Sequence, residues 1–515
     1  MSVRNPVLLI GLDASDAGLI HRLIDQGRLP ALAKLRAQGC HARLASPADR
    51  YAGGVWPSFY TGRDVPWHGI YHNKLWRPDS MRCEVPTDRW LPSRPFWESW
   101  ADPSLRVCVI DVPMILGQPR PVNGIYLGGW GTHDLISRGS WPASIWKELA
   151  ARHGPPRMPR ESYGLQTAGS LLALRDDLLR ATQQMKLVAS DLLTRERWDF
   201  ACLVLGGIHR MGHYLTDLSQ VTDGESNPRQ RAVLENALVG MYEATDEVLA
   251  HLLERVSSDT QVLVFAVHGM SPNPGWSDLV PDILAALQRA ASGRRAPAGL
   301  LYTIKRAIPM HWARPVLRHL PHSLNDRLVS LWSARMFDWR STRTFPMPMD
   351  HAAYLRINLA GRERDGIVTT QEYEEACAGL EALFTGMRDG DSGREIGTQV
   401  SRAFADAPAA APQRALLPDV LVSWPGLRAT QVRRLVCDPV PGFRFNIPAR
   451  LPSGRSGNHV GEGWLIAAGP GISPGRLDAV HDICDLAPTV LRELGTDVRD
   501  DLPGRPIDWS KASPA

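Results

Sequence analysis

Asp13, His209, His213, His268 and His459 are residues of the types that ligate divalent metal ions. Asp13 follows the apolar run Val7-Leu8-Leu9-Ile10-Gly11-Leu12, and His268 follows a second, Val262-Leu263-Val264-Phe265-Ala266-Val267. His209 and His213 stand four apart in Gly-Ile-His-Arg-Met-Gly-His, a spacing that suits one helical face. His459 lies in Arg-Ser-Gly-Asn-His. A lone buried histidine is ordinarily a hydrogen-bonded core residue, so the case for a metal rests on the set. Histidine ligation favours zinc, and manganese or iron use the same groups.

The elements that must position these residues are legible as short apolar runs alternating with helical periodicity. The runs cover 7–12, 106–112, 200–205, 261–267, 419–423 and 464–468. Buried strands alternating with helices predict an α/β fold, with a mostly parallel central sheet covered by helices on both faces. Leu19, Ile20, Leu23 and Ile24 recur at helical spacing, and Pro30 starts a second short helix through Leu32 and Leu35. In open α/β sheets ligands gather beyond the carboxyl ends of the strands. Asp13 and His268 both fall just past such ends.

A chain of 515 residues is long enough for a large core. With 44% hydrophobic and 22% charged residues it has the composition of an ordinary globular protein. A net charge of +4 gives no argument for nucleic acid. No secretory leader opens the sequence, and no apolar stretch approaches the ~20 residues of a membrane span. The seven cysteines are scattered and odd in number, which fits free thiols in the cytoplasm. Residues 281–345 hold eleven Arg or Lys against three Asp or Glu. They are expected to form a basic insertion with a solvated face, or a cap that draws in an anionic substrate. The expected division is an α/β core of 1–280 and 346–508, the basic insertion of 281–345, and a loose tail of 509–515, with looseness setting in from Gly504.

Several further segments carry a family resemblance. Leu9-Ile10-Gly11-Leu12-Asp13 is followed by Gly27-Arg28-Leu29-Pro30-Ala31-Leu32. Trp56-Pro57-Ser58-Phe59-Tyr60-Thr61-Gly62, His68-Gly69-Ile70, His268-Gly269-Met270 and Tyr354-Leu355-Arg356-Ile357-Asn358-Leu359 come next. Gly469-Pro470-Gly471-Ile472 and Asp485-Leu486-Ala487-Pro488-Thr489 follow His459. In this order, over about residues 7–508, the chain resembles the alkaline phosphatase superfamily, specifically its type I phosphodiesterase/nucleotide pyrophosphatase branch. The resemblance implies an alkaline-phosphatase-like α/β fold and an ester hydrolase with two divalent metals.

Carried over residue by residue, the resemblance assigns one metal site to His209, His213 and His459. The second retains Asp13 and His268, but Val267 replaces its other Asp. Ala52, nine residues before Thr61, stands where the superfamily carries its Ser, Thr or modified Cys nucleophile. Three neutral imidazoles leave a divalent ion its full charge and an open position, where bound water has a pKa of about 7. Such an ion would supply the nucleophile that Ala52 lacks. The second site, with one carboxylate and one imidazole, is expected to be vacant, completed by substrate oxygens, or helped by Asn273. Arg50 and Tyr51 flank Ala52 and are candidates for substrate contact. His133 and Asp134 are a candidate pair behind a ligand. Ser58 and Thr61 are expected to be structural.

These observations predict a metal-dependent hydrolase of a small phosphate, phosphonate or sulfate ester. The alternatives are a binding or regulatory protein with a degenerate pocket, a phosphoryl or sulfuryl transferase, and an ordinary phosphodiesterase whose nucleophile has been mutated to Ala52. The sequence does not specify an oligomeric state.

Overall fold

The computed structural model describes residues 5–100, 102–131, 138–157, 164–223, 228–292, 337–498 and 500–514. His133, Asp134 and most of the basic insertion (293–336) lie outside the described residues. The chain forms two compact units. The first comprises Met1–His68, Thr87–Asn273 and Pro452–Ala515, and the second Gly69–Pro86 and Pro274–Leu451.

The first unit is built on nine strands: β1 (Val7–Leu12), β2 (Cys40–Ala45), β3 (Val107–Ile110), β4 (Gly124–Gly128), β5 (Gly139–Trp141), β6 (Phe200–Leu205), β7 (Gln261–Ala266), β10 (Glu462–Ala468) and β11 (Gly475–Asp482). Two more, β8 (Gly269–Pro272) and β9 (Gly457–Val460), pair with each other outside the sheet. The sheet order is β11-β2-β10-β7-β1-β6-β3-β4-β5. Five of the pairings are parallel. The three antiparallel ones involve β10 on both of its sides and the β4–β5 pair at one edge. The large, mostly parallel sheet expected from the apolar runs is therefore present.

Helices cover both faces, which is why β1, β6 and β7 are buried at every position and apolar at all but Gln261. Side chains alternate across a strand. Leu8, Ile10 and Leu12 join a core with α1 (Ala17–Asp25), α2 (Pro30–Gln38), α4 (Ala168–Leu193) and α6 (Ala237–Leu253). Gly11 belongs to the opposite face, where α3 (Val55–Thr61) packs through Trp56 and Phe59 against Phe265. The break between α1 and α2 falls where Pro30 predicts it. Asp246 on α6 then accepts hydrogen bonds from the Ala31 and Leu32 backbone N–H groups, capping α2 from another helix.

The second unit has its own antiparallel sheet, formed by Thr344–Pro346, Ala353–Ile357, Val420–Ser423 and Gln399–Ser401. Helices Val280–Ser292 and Tyr373–Thr385 share its hydrophobic core. This division departs from the boundaries drawn from the sequence. Residues 346–451 belong with 274–292, because the apolar run at 419–423 completes this smaller sheet instead of joining the large one.

The end of the chain is another departure, since the expected loose tail is docked. Ile507 and Trp509 are buried, and the Trp509 indole donates to Glu493 at 3.0 Å. Ser513 exchanges backbone hydrogen bonds with Arg476 at 2.8 and 2.9 Å. Burial of these two large apolar side chains outweighs the looseness expected of a chain end.

Candidate metal centre

Parallel register brings the site together. Leu12 of β1 lies beside Leu205 of β6, and Gly11 lies beside Phe265 of β7. The carboxyl ends of three adjacent strands thus meet at one rim. Asp13 stands at the first, its backbone N–H still bonded to the Leu205 carbonyl at 3.1 Å. Ala14 then turns the chain with a left-handed φ of 53°, a conformation rare for a residue with a Cβ. At the second end, α5 (Gly207–Leu215) carries His209 and His213 on one face. At the third, His268 precedes β8. β9 pairs with β8 in antiparallel register, Met270 opposite His459, and so delivers the last histidine from a distant part of the chain.

Close backbone approach is needed where β9 meets α5. A Cβ built on Gly457 would lie 2.3 Å from both the Gly212 carbonyl oxygen and Thr216 Oγ1, so only glycine fits. The Gly457 carbonyl in turn accepts from His213 Nδ1 at 3.2 Å. All four histidines and Asp13 are buried. The Nε2 atom of His209 lies 3.0 Å from that of His213 and 2.9 Å from that of His459. One donor atom from each of these three residues falls within 4.8 Å of the others. His268 stands beside this group, its ring centroid 4.9 Å from that of His459 and 5.9 Å from that of His209.

The hydrogen bonds on the far side of the rings decide their tautomers. His209 Nδ1 lies 2.6 Å from Asp13 Oδ2, and His213 Nδ1 faces a carbonyl. Both partners are acceptors, so each Nδ1 carries the proton and each Nε2 is left with its lone pair. Two lone pairs facing each other at 3.0 Å repel unless a cation, either a proton or a metal, lies between them. A tetrahedral zinc with bonds of 2.0–2.1 Å would hold its nitrogens about 3.3 Å apart, so a small outward adjustment accommodates it. The donor set therefore fits a divalent cation.

The remaining candidates are used in other ways. Asp13 receives the Trp56 indole N–H on Oδ1 at 2.9 Å in addition to its contact with His209. Trp56 and the Gly457 carbonyl had no signal in the spacing of potential ligands, because an indole and a peptide oxygen look like packing and backbone. Asn273, expected to help a second metal, instead ties down the loop before His459. Its Nδ2 donates to the Arg455 carbonyl at 3.1 Å, and its Oδ1 lies 3.4 Å from Asn458 Nδ2.

Ala52 lies buried in the turn Ala52–Gly54 that leads into α3. The preceding helical turn Ala48–Tyr51 packs against β9, the strand of His459. Arg50 is exposed with its guanidinium 5.5 Å from the Tyr51 ring centroid, while Tyr51 is buried. Val267 is fully buried and offers no ligand. Ser58 Oγ pairs with His68 Nε2 at 3.0 Å, and Thr61 Oγ1 donates to the Pro57 carbonyl at 2.6 Å.

Several solved structures are similar to this chain. Alkaline phosphatase PafA is similar over 99% of this chain and all of its own, at 12% identity and a TM-score of 0.54. Phosphonoacetate hydrolase from Sinorhizobium meliloti 1021 is similar over 96% of this chain and 95% of its own, at 14% identity and a TM-score of 0.50. Murine ectonucleotide pyrophosphatase/phosphodiesterase 5 covers 99% of this chain and 100% of its own, at 10% identity and a TM-score of 0.47. Among curated protein sequences none matches this one.

The fold is the α/β fold of alkaline phosphatase PafA. The model of the type I phosphodiesterase / nucleotide pyrophosphatase family matches residues 7–431, and the chain belongs to that family. All seven cysteines are free and buried. Among the described residues no helix is long and apolar enough to cross a membrane.

Proposed function

We propose that this protein hydrolyses a small phosphate, phosphonate or sulfate ester by direct attack of water, with no covalent enzyme intermediate. The observation that carries this reading is the convergence of His209, His213 and His459 through Nε2 in a chain whose family nucleophile position is Ala52. Membership of a family of phosphoester hydrolases supports the substrate class. A divalent cation, zinc by preference for imidazole donors, would polarise an ester oxygen and lower the pKa of a water molecule to about 7.

The chain's own residues prepare for this. Asp13 and the Gly457 carbonyl fix the ring orientations of His209 and His213, so little reorganisation is needed when substrate arrives. The β8–β9 pairing holds His459 in place. Ala52 has no side chain able to bond phosphorus or sulfur, so the bond that forms is to water oxygen as the bond to the leaving group breaks. Turnover in isotope-labelled water of a substrate chiral at phosphorus tests this. Inversion is expected, whereas retention would establish a two-step path through an enzyme nucleophile and overturn the reading.

A second reading is a binding protein with a degenerate pocket, favoured by the buried, apolar Ala52 and Val267. Bound metal without turnover across aryl phosphate, phosphonate and sulfate esters would select it.

A further inference from the structure

We infer that this chain holds one metal ion rather than two, and that Asp13 acts on it from outside as the positioning residue of His209, kept in that role by Trp56. The inference rests on the reading that the three histidines bind a cation.

Asp13 is the residue that would otherwise belong to a second metal. Both of its oxygens are engaged by nitrogen donors: Oδ2 at 2.6 Å from His209 Nδ1 and Oδ1 at 2.9 Å from Trp56 Nε1. An indole N–H can only donate. Unlike a hydroxyl or an imidazole, it cannot reverse its polarity to make way for a cation at the same oxygen. Its hydrogen takes one of the two lone pairs of Oδ1 and brings positive charge beside the other, which disfavours a second cation there.

The local chain is shaped to bring the indole there. Trp56 lies across β1 at Gly11, two residues before Asp13 and on the same face of the strand. A Cβ at Gly11 would lie 2.9 Å from Trp56 Cη2, so the missing side chain makes room for the ring. Few other groups could complete a second site. Val267 is apolar and fully buried. Asn273 is tied to the loop of Arg455 and Asn458. His268 Nδ1 lies 4.0 Å from Asp13 Oδ1, and this ring falls outside the set of three that converge.

A carboxylate hydrogen-bonded to the far nitrogen of a ligating histidine fixes its tautomer and raises its basicity. Asp13 is placed to do this for His209. The carboxylate that would have bound a second ion therefore strengthens the binding of the first.

The test is zinc stoichiometry and affinity of the full-length protein, by equilibrium dialysis with elemental analysis and by competition with a chromophoric chelator. Wild type, Asp13→Asn and Trp56→Phe are compared, and circular dichroism confirms that each is folded. One equivalent is expected in all three. Asp13→Asn should keep its equivalent with affinity lowered roughly 10–100-fold, and Trp56→Phe should weaken binding by a smaller factor. Two equivalents in wild type, with one lost in Asp13→Asn and the affinity of the other unchanged, would overturn the inference while leaving the three-histidine reading intact. Wild-type affinity in Trp56→Phe would remove the role of Trp56. No bound zinc in wild type would defeat the metal reading itself and the inference with it.

Discussion

Two buried polar clusters, one in each unit, show how differently such groups can be arranged. In the second unit Arg356, Arg362, Glu363 and Asp419 form a network closed on itself. Glu363 accepts from Arg356 and Arg362 through Oε1, at 2.8 and 2.9 Å, and from the Trp76 indole through Oε2 at 2.8 Å. Asp419 takes both outer nitrogens of Arg362 at 2.7 Å, the Tyr373 hydroxyl at 2.8 Å and the Ile357 N–H at 2.6 Å. Burial pushes the Asp419 carboxyl up, but the Arg362 hydrogen bonds and charge more than offset it, and its pKa lies below the ordinary value. Arg356 reaches the carbonyls of Leu417 and Ala415 as well.

In the first unit the histidine cluster turns its donors outward, to Asp13 and to the Gly457 carbonyl, and its acceptors inward. Arrangements that meet donors with acceptors throughout serve the fold. An arrangement that aims lone pairs at one another is complete only with a cation in the middle. Burial and polarity do not separate the two cases; the direction of the hydrogen bonds does.

The comparison can be broken first at its metal end. His213→Ala should lose zinc affinity by considerably more than the roughly 100-fold associated with an outer partner, as read by chelator competition. The metal-free variant should be no less stable than metal-free wild type in urea unfolding, because an inward-facing lone pair has been removed. Glu363→Gln tests the other end. It leaves Arg356 buried beside a neutral amide and should cost roughly 3–5 kcal/mol in unfolding free energy, with zinc stoichiometry unchanged. If the histidine variant destabilised the metal-free protein as strongly as the glutamate variant, the distinction between the clusters would collapse.

A finer test uses the Ser58–His68 pair, buried but remote in role from the three converging rings. Burial lowers the pKa of His68 to about 3. Between its ordinary value of about 6.5 and 3, the unfolded chain binds a proton that the folded chain does not. The contribution of neutral His68 is therefore fully present above pH ~6.5 and lost as pH falls towards 3, by at most about 1.4 kcal/mol per pH unit. The stability gap between wild type and His68→Gln should narrow from pH 7 to pH 4. A gap independent of pH would show that the ring is not held neutral.

Much of this molecule is legible in its sequence. The apolar runs at 7–12, 200–205 and 261–267 become adjacent strands, because strands buried on both faces are predominantly apolar. The spacing of His209 and His213 marks a helix face, and a helix is found there. What spacing leaves out is direction. Asp13 has the composition of a ligand in either role, and only the geometry of Trp56 and His209 shows which way its oxygens are used. Asn273 shows the same, since only the structure reveals that its amide nitrogen holds the loop at Arg455. The boundary at 346 was hidden because the run at 419–423 has the same pattern whether it joins a nine-stranded or a four-stranded sheet. The docking of the chain end depends on Ile507 and Trp509 finding buried places, which local composition does not reveal.

Crystals of the zinc-loaded protein, measured on either side of the zinc absorption edge, would show directly whether His209, His213 and His459 share a cation. A single anomalous peak is expected within about 2.1 Å of all three Nε2 atoms, with Asp13 still bonded to His209 Nδ1 behind it. Absence of a peak between the three rings, or one bonded to Asp13 in place of His209, would contradict it.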